Sequence, residues 1–89
     1  MPHVRVTRNL QRHVTCPPQD VAGDTVRAAL DAYFELAPDA RGYVLDEHGG
    51  LRKHMAVFVN GTLIGDRSTL SDPIDERDTI DIMQALSGG

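Results

Sequence analysis

Apolar and polar positions alternate from His3 to Arg8, with Val4 and Val6 on one side and Arg5 and Thr7 on the other. That is the period of a strand buried on one face. Asn9-Leu10-Gln11 reads as a turn, and Arg12-His13-Val14-Thr15-Cys16 resumes a weaker alternation, so a β-hairpin is expected to open the chain. Pro17 and Pro18 have no N–H to give a ladder and should end or edge the second strand. The period then changes. Val26, Ala29, Leu30 and Tyr33 recur at i, i+3, i+4 and i+7, a single apolar helical stripe, with Arg27, Asp31 and Glu35 off it. Asp24 or Thr25 can accept the free N–H groups of the first turn. Pro38 disfavours helical geometry at Ala37, so the helix should finish near Leu36.

After the helix, Tyr43-Val44-Leu45 is a short apolar run before the polar turn Asp46-Glu47-His48-Gly49-Gly50. Met55-Ala56-Val57-Phe58-Val59 is a dense run of β-formers and reads as an interior strand. Asn60-Gly61 is a strong hairpin-turn signal, with Thr62-Leu63-Ile64 as the short returning strand. Residues 66–78 are polar, contain Pro73 and should be loop with at most a turn of helix. Thr79 to Met83 gives the last strand, with Ile80 and Ile82 on one face. The expected order is β-β-α-β-β-β, an α+β two-layer fold with one main helix across a mixed sheet of four to five strands. Its core would gather Val4, Val6, Val26, Leu30, Tyr33, Val57, Val59, Ile80 and Ile82.

Eighty-nine residues suit one domain, expected over 1–84 with residues 85–89 as a flexible tail. With 40% hydrophobic and 25% charged residues the composition is that of a globular chain. No apolar stretch approaches the ~20 residues that span a bilayer, and MPHVRVTRNL lacks the apolar centre of a signal peptide. The chain therefore reads as cytoplasmic and without a membrane partner. A net charge of −4 argues against nucleic acid, whose binders carry a basic patch.

Candidate chemistry is sparse. Cys16 is the single cysteine, so it forms no internal disulfide, and a buried inert thiol is the commoner state of free Cys than a nucleophile. His3, His13, His48 and His54 are scattered without metal-ligand spacing. Asp72, Asp75, Asp78 and Asp81 recur every third residue with Glu76 among them, but the spacing of a calcium loop is absent. They read as a solvated acidic surface that can steer a basic partner. No metal site, bound cofactor or catalytic side chain is expected.

The chain closes on IDIMQALSGG, a strand running into two glycines. A glycine tail has no Cβ and can enter a narrow channel with its backbone close to the wall. A carboxylate is inert until it is converted to an acyl-adenylate, which an activating partner must perform. On these residues alone the tail is either functional or a frayed end.

The strand HVRV, the helix start VAGDTVRAALDAYF, the segment YVLDEHGGLRKHMAVFVNG and the close DTIDIMQALSGG stand in this order over nearly all of residues 3–89. Together they make the chain resemble the MoaD/ThiS group of sulfur-carrier proteins, which are ubiquitin-like β-grasp domains. The resemblance implies that an E1-like enzyme adenylates Gly89 with ATP and that the carboxylate becomes a thiocarboxylate. A sulfur-accepting biosynthetic enzyme then takes the sulfur. Gly88 would supply the slim approach, Ala85, Leu86 and Ser87 would lie in the partner's channel, and a processing metalloprotease is a further candidate partner.

Two stretches depart from the family pattern. Glu76-Arg77-Asp78 stands where members often carry a Gly-Asp turn, and Ala85-Leu86-Ser87 differs from the Pro-Val-Ala or Ala-Val-Ala type. The pathway stays open among molybdopterin, thiamine thiazole, cysteine, tRNA thiolation and a specialised metabolite. Two other readings remain: a protein modifier conjugated through Gly89, and a β-grasp interaction domain with an inert tail.

Overall fold

The computed structural model describes residues 1–12 and 14–84. Its elements are β1 (His3–Val6), α1 (Arg8–Gln11), β2 (Gln19–Asp20), α2 (Val26–Leu36), α3 (Pro38–Val44), β3 (Met55–Val59), β4 (Thr62–Leu63) and β5 (Thr79–Gln84). The five strands form one mixed sheet in the order β2-β1-β5-β3-β4. The last strand of the chain is thus its middle one, parallel to β1 and antiparallel to β3.

The register explains the core. Ile80 lies between Val4 and Val59, and Ile82 lies between Val6 and Val57. Each isoleucine is flanked on both sides by valine, the β-branched cross-strand arrangement that suits a pleated sheet. Val26, Ala29, Leu30 and Tyr33 of α2 are all fully buried with these strands, so the helical stripe and the sheet share one core. Val59 is half-buried, at the sheet's margin. Thr25 caps α2 through its side chain, which accepts from the Ala28 N–H at 3.1 Å.

Two expectations are corrected. The partner of β1 is Gln19–Asp20, not residues 12–16. Leu10 is buried, and its N–H and that of Gln11 reach the Thr7 carbonyl, so the expected turn winds into α1. Pairing resumes only after Pro17 and Pro18, at the first residue with an N–H to donate. Secondly, α2 is followed by another helix. Ala37 takes a non-helical conformation and Pro38 opens α3 at the position where a missing N–H costs nothing. Ala40 and Val44 bury one side of α3, so the apolar run at Tyr43–Leu45 is partly helical. Residues 66–78 are loop with a single helical turn, as expected: the Leu70 N–H donates to the Asp66 carbonyl at 3.1 Å.

That long loop is nevertheless held. The N–H groups of Val26 and Arg27 donate to the carbonyls of Asp72 and Leu70 at 3.0 and 2.8 Å, which satisfies two orphan donors of α2 from outside the helix. Leu70 makes this possible with φ 58, unusual for a leucine, while its side chain is fully buried. Asn60 and Gly61, both at positive φ, make the tight β3–β4 turn. The neighbours Ile82 and Met83 face opposite ways, fully buried and 46% exposed. Ile82→Ala should therefore cost ~2–5 kcal/mol by leaving a cavity, and Met83→Ala should stay within about 0.5 kcal/mol. Chemical denaturation of the two variants checks this.

Candidate functional site

The site begins where β5 ends. Gln84 still pairs with Met55 of β3, and the Thr7 N–H donates to the Ile82 carbonyl at 2.8 Å on the other flank. The strand is thus held on both sides almost to its last residue, which sets the direction in which the chain leaves the sheet. Ala85, Leu86, Ser87, Gly88 and Gly89 lie outside the described residues, as does His13.

Charge is distributed unevenly along β5. Because β1 is parallel to it, α1 follows at the end where β5 finishes, and the turn before β3 reaches the same end. Arg8, Arg12, Arg52 and Lys53, all exposed, therefore belong to the tail end of the sheet. Asp20, Asp75, Glu76 and Asp78 belong to the opposite end, where β5 begins. A net charge of −4 conceals this local basic region.

The outer face of the sheet, away from the helices, carries Arg5, Ala56, Phe58, Leu63, Asp81 and Met83 in register. Arg5 grips Asp81 in a bidentate pair, Nε to Oδ1 at 2.7 Å and an Nη to Oδ2 at 3.0 Å. Leu63 is 53% exposed, a large apolar side chain that nothing in the described residues covers. A shallow groove of about 320 Å³ runs beside the tail end of β5, lined by Arg5, Val6, Thr7, Asp81, Ile82 and Met83. Alternation around Ile80 and Ile82 already points Asp81 and Met83 outward. The parallel register that brings Arg5 to Asp81 has no local sequence signal.

Cys16 is buried, its thiol 3.5 Å from the Val14 carbonyl, and burial pushes its pKa up, away from the reactive thiolate. Tyr33 donates to the Pro17 carbonyl at 2.9 Å, and burial raises its phenol well above the ordinary value. His3 meets Asp20 at 2.8 Å on the surface. Among the described residues no group of three histidine, cysteine or carboxylate side chains could hold a metal ion.

Two members of the acidic series, Asp72 and Asp78, serve the backbone. Asp72 accepts the N–H groups of Gly65 and Asp66, and Asp78 accepts from Asp75 N–H and the Asn60 amide. Asp75 and Asp78 close a turn on each other, since the Asp78 N–H also donates to the Asp75 carbonyl at 3.1 Å. Neither Glu76 nor Arg77 takes a positive φ, so this turn needs no glycine. Asp66, which the threefold spacing does not pick out, is the most engaged carboxylate. It accepts from the N–H groups of Ser68, Thr69 and Ser71 and from the hydroxyls of Thr69 and Ser71. The hydroxyl of Ser71 first, then the donors of Thr69, hold its pKa far below the usual carboxylate range.

Comparisons with known proteins agree with this geometry. The sequence model of the ThiS family matches residues 12–89. A chain in the crystal structure of the Amycolatopsis orientalis BexX/CysO complex superposes with a TM-score of 0.83 at 22% identity, covering 100% of both chains. SAMP1 of Haloferax volcanii, a small archaeal modifier protein, gives 0.77 at 27% identity over 99% of this chain and 98% of that one. CysO of Mycobacterium tuberculosis gives 0.81 at 20% identity over 97% and 100%. None of the curated proteins matches the sequence. The fold is therefore the ubiquitin-like β-grasp, a mixed sheet of five strands with α2 as its main helix.

The Asp66 geometry fixes a sign for pH dependence. A carboxyl whose pKa is depressed by folding contributes stability above its unfolded pKa of about 4, and that contribution is lost as the pH falls through the folded value. Thermal melts from neutral to acid pH should show this loss in the natural chain, and Asp66→Asn should be less stable at neutral pH with a flatter acid limb.

Proposed function

The chain belongs to the ThiS family, and from that footing we propose that it is a sulfur carrier working through Gly89. One observation carries the reading: β5, paired along both edges, ends at Gln84, five residues before the closing Gly89. An E1-like partner, using ATP, converts the Gly89 carboxylate to an acyl-adenylate and releases pyrophosphate. A sulfur nucleophile then attacks the acyl carbon and AMP leaves, giving a thiocarboxylate. That group is itself the nucleophile in the next step, so the carrier needs no reactive side chain. The chain is in this reading a co-substrate and not an enzyme, binds no cofactor of its own and works in the cytoplasm. A biosynthetic enzyme accepts the sulfur, and a metalloprotease acts where the tail requires trimming. No helix among the described residues is long and apolar enough to cross a membrane.

Partners seat on the outer face of the sheet beside the tail. Phe58, Leu63 and Met83 supply apolar area there, the Arg5–Asp81 pair lies next to them, and Gly88-Gly89 passes into the partner's channel. The likeness to SAMP1 favours a second reading, in which the same activated glycine is joined to the lysine of a target protein.

The test is the intact mass after incubation with an E1-like enzyme, ATP and a sulfide source. The expected product is heavier by the exchange of one oxygen for sulfur, and a chain lacking Gly89 should stay unchanged. An unchanged natural chain with every such enzyme of its genome would sink the proposal. Leu63→Asp and Met83→Asp should slow adenylation at least about tenfold, the equivalent of ~1.4 kcal/mol of partner binding, without a matching loss of fold. Pyrophosphate exchange alongside circular dichroism measures both.

A further inference from the structure

The chain contains a single lysine, Lys53, beside eight arginines. Several of those arginines use the planar fork that lysine lacks. Arg27 donates to the carbonyls of Thr69 and Gly49, Arg67 to those of Arg52 and Met55, and Arg5 holds Asp81 through two bonds. A guanidinium stays protonated and makes a poor acyl acceptor. The amines open to acylation are therefore the Lys53 Nζ and the α-amine of Met1.

The fold places these two amines at opposite ends of β5. His3 pairs with Thr79 in the parallel β1–β5 ladder, so Met1 belongs to the end where β5 begins. The strand from Thr79 to Gln84 is ~17 Å long, which already equals the full reach of residues 85–89, also ~17 Å when extended. Lys53 is on the other side of that limit. Met55 pairs with Gln84, and the Met55 N–H donates to the Arg52 carbonyl at 3.0 Å, closing a turn with Lys53 and His54 at its corners. Paired Cα atoms lie ~5 Å apart, and two residues span at most ~7 Å. The Cα of Lys53 is thus within ~12 Å of that of Gln84, and its side chain is exposed.

We propose that Lys53 is a modification site, the acceptor for the activated C-terminus of its own chain. The inference rests on the activation of Gly89 described above and adds where the acyl group goes when no sulfur nucleophile takes it. The neutral Nζ attacks the Gly89 carbonyl carbon, a C–N amide bond forms, and the acyl–oxygen bond to AMP breaks. AMP departs with the electron pair and the amine's proton passes to solvent. The product is a lariat closed between Lys53 and Gly89, one water lighter than the free acid. A short tether gives an effective concentration on the order of millimolar, above that of amines on other chains at micromolar concentration. An activated carrier that leaves its enzyme too early is in this way retired in cis before it can acylate other proteins.

The test needs no activating enzyme. The full chain is prepared as a C-terminal thioester by thiol cleavage of an intein fusion after Gly89, then held at ~pH 8, nearer the lysine range. Intact mass and peptide mapping should find a monomer that has lost the thiol and is one water lighter than the hydrolysed acid, with a Lys53–Gly89 isopeptide and a rate independent of protein concentration. Lys53→Arg should leave hydrolysis alone. The double variant Lys53→Arg/Arg77→Lys, which moves the amine to an exposed position just ahead of β5, should also only hydrolyse. Hydrolysis alone in the natural chain, closure on Met1, linked dimers in place of the ring, or an equal rate in the double variant would each overturn the proposal. Because the thioester supplies the activation, such a failure is separate from a failure of Gly89 adenylation, which pyrophosphate exchange reads independently.

Discussion

The rest of the structure depends on the double pairing of β5. Its Ile80 and Ile82 are each held between valines of β1 and β3, and the same two isoleucines are fully buried in one core with α2. The strand cannot slip by one residue without turning both isoleucines out of the core and bringing Asp81 and Met83 in. Register, core and the path of β5 to Gln84 are consequently one constraint. An edge strand would have one ladder to hold it where β5 has two.

Much of the polar chemistry supports that arrangement from a distance. The loop before β5 has no helix or strand of its own, yet Asp66 gathers its N–H groups and the carbonyls of Leu70 and Asp72 cap α2. Asn60 then ties the β3–β4 turn to the start of β5, accepting from the Thr79 N–H and donating to Asp78. Asp72 and Asp78, which read as part of a solvated patch, are thus spent on backbone donors, which an ordered loop must satisfy somewhere. The basic residues gather instead at the far end of β5, leaving the tail end of an acidic protein locally positive.

The chain by itself determined its local elements wherever one residue type leaves a single choice. The period of Val26, Ala29, Leu30 and Tyr33 marks α2, Thr25 caps it, Asn60-Gly61 turns the hairpin, and Ile80 and Ile82 define the buried face of β5. The terminal Gly-Gly and the ThiS family pattern were legible in the same direct way. Where two local readings compete, tertiary context chose. Leu10 became buried and wound its neighbours into α1, so the strand partner shifted to Gln19–Asp20, and Pro38 started a helix where it had been read only as ending one. Only the folded sheet decided that residues separated by most of the chain, such as Arg5 and Asp81, would pair. The same fold placed Lys53 near Gln84, where β5 ends, and Met1 at the opposite end. Those outcomes belong to the parallel β1–β5 register, and parallel pairing joins distant segments through a crossover that no short-range periodicity encodes.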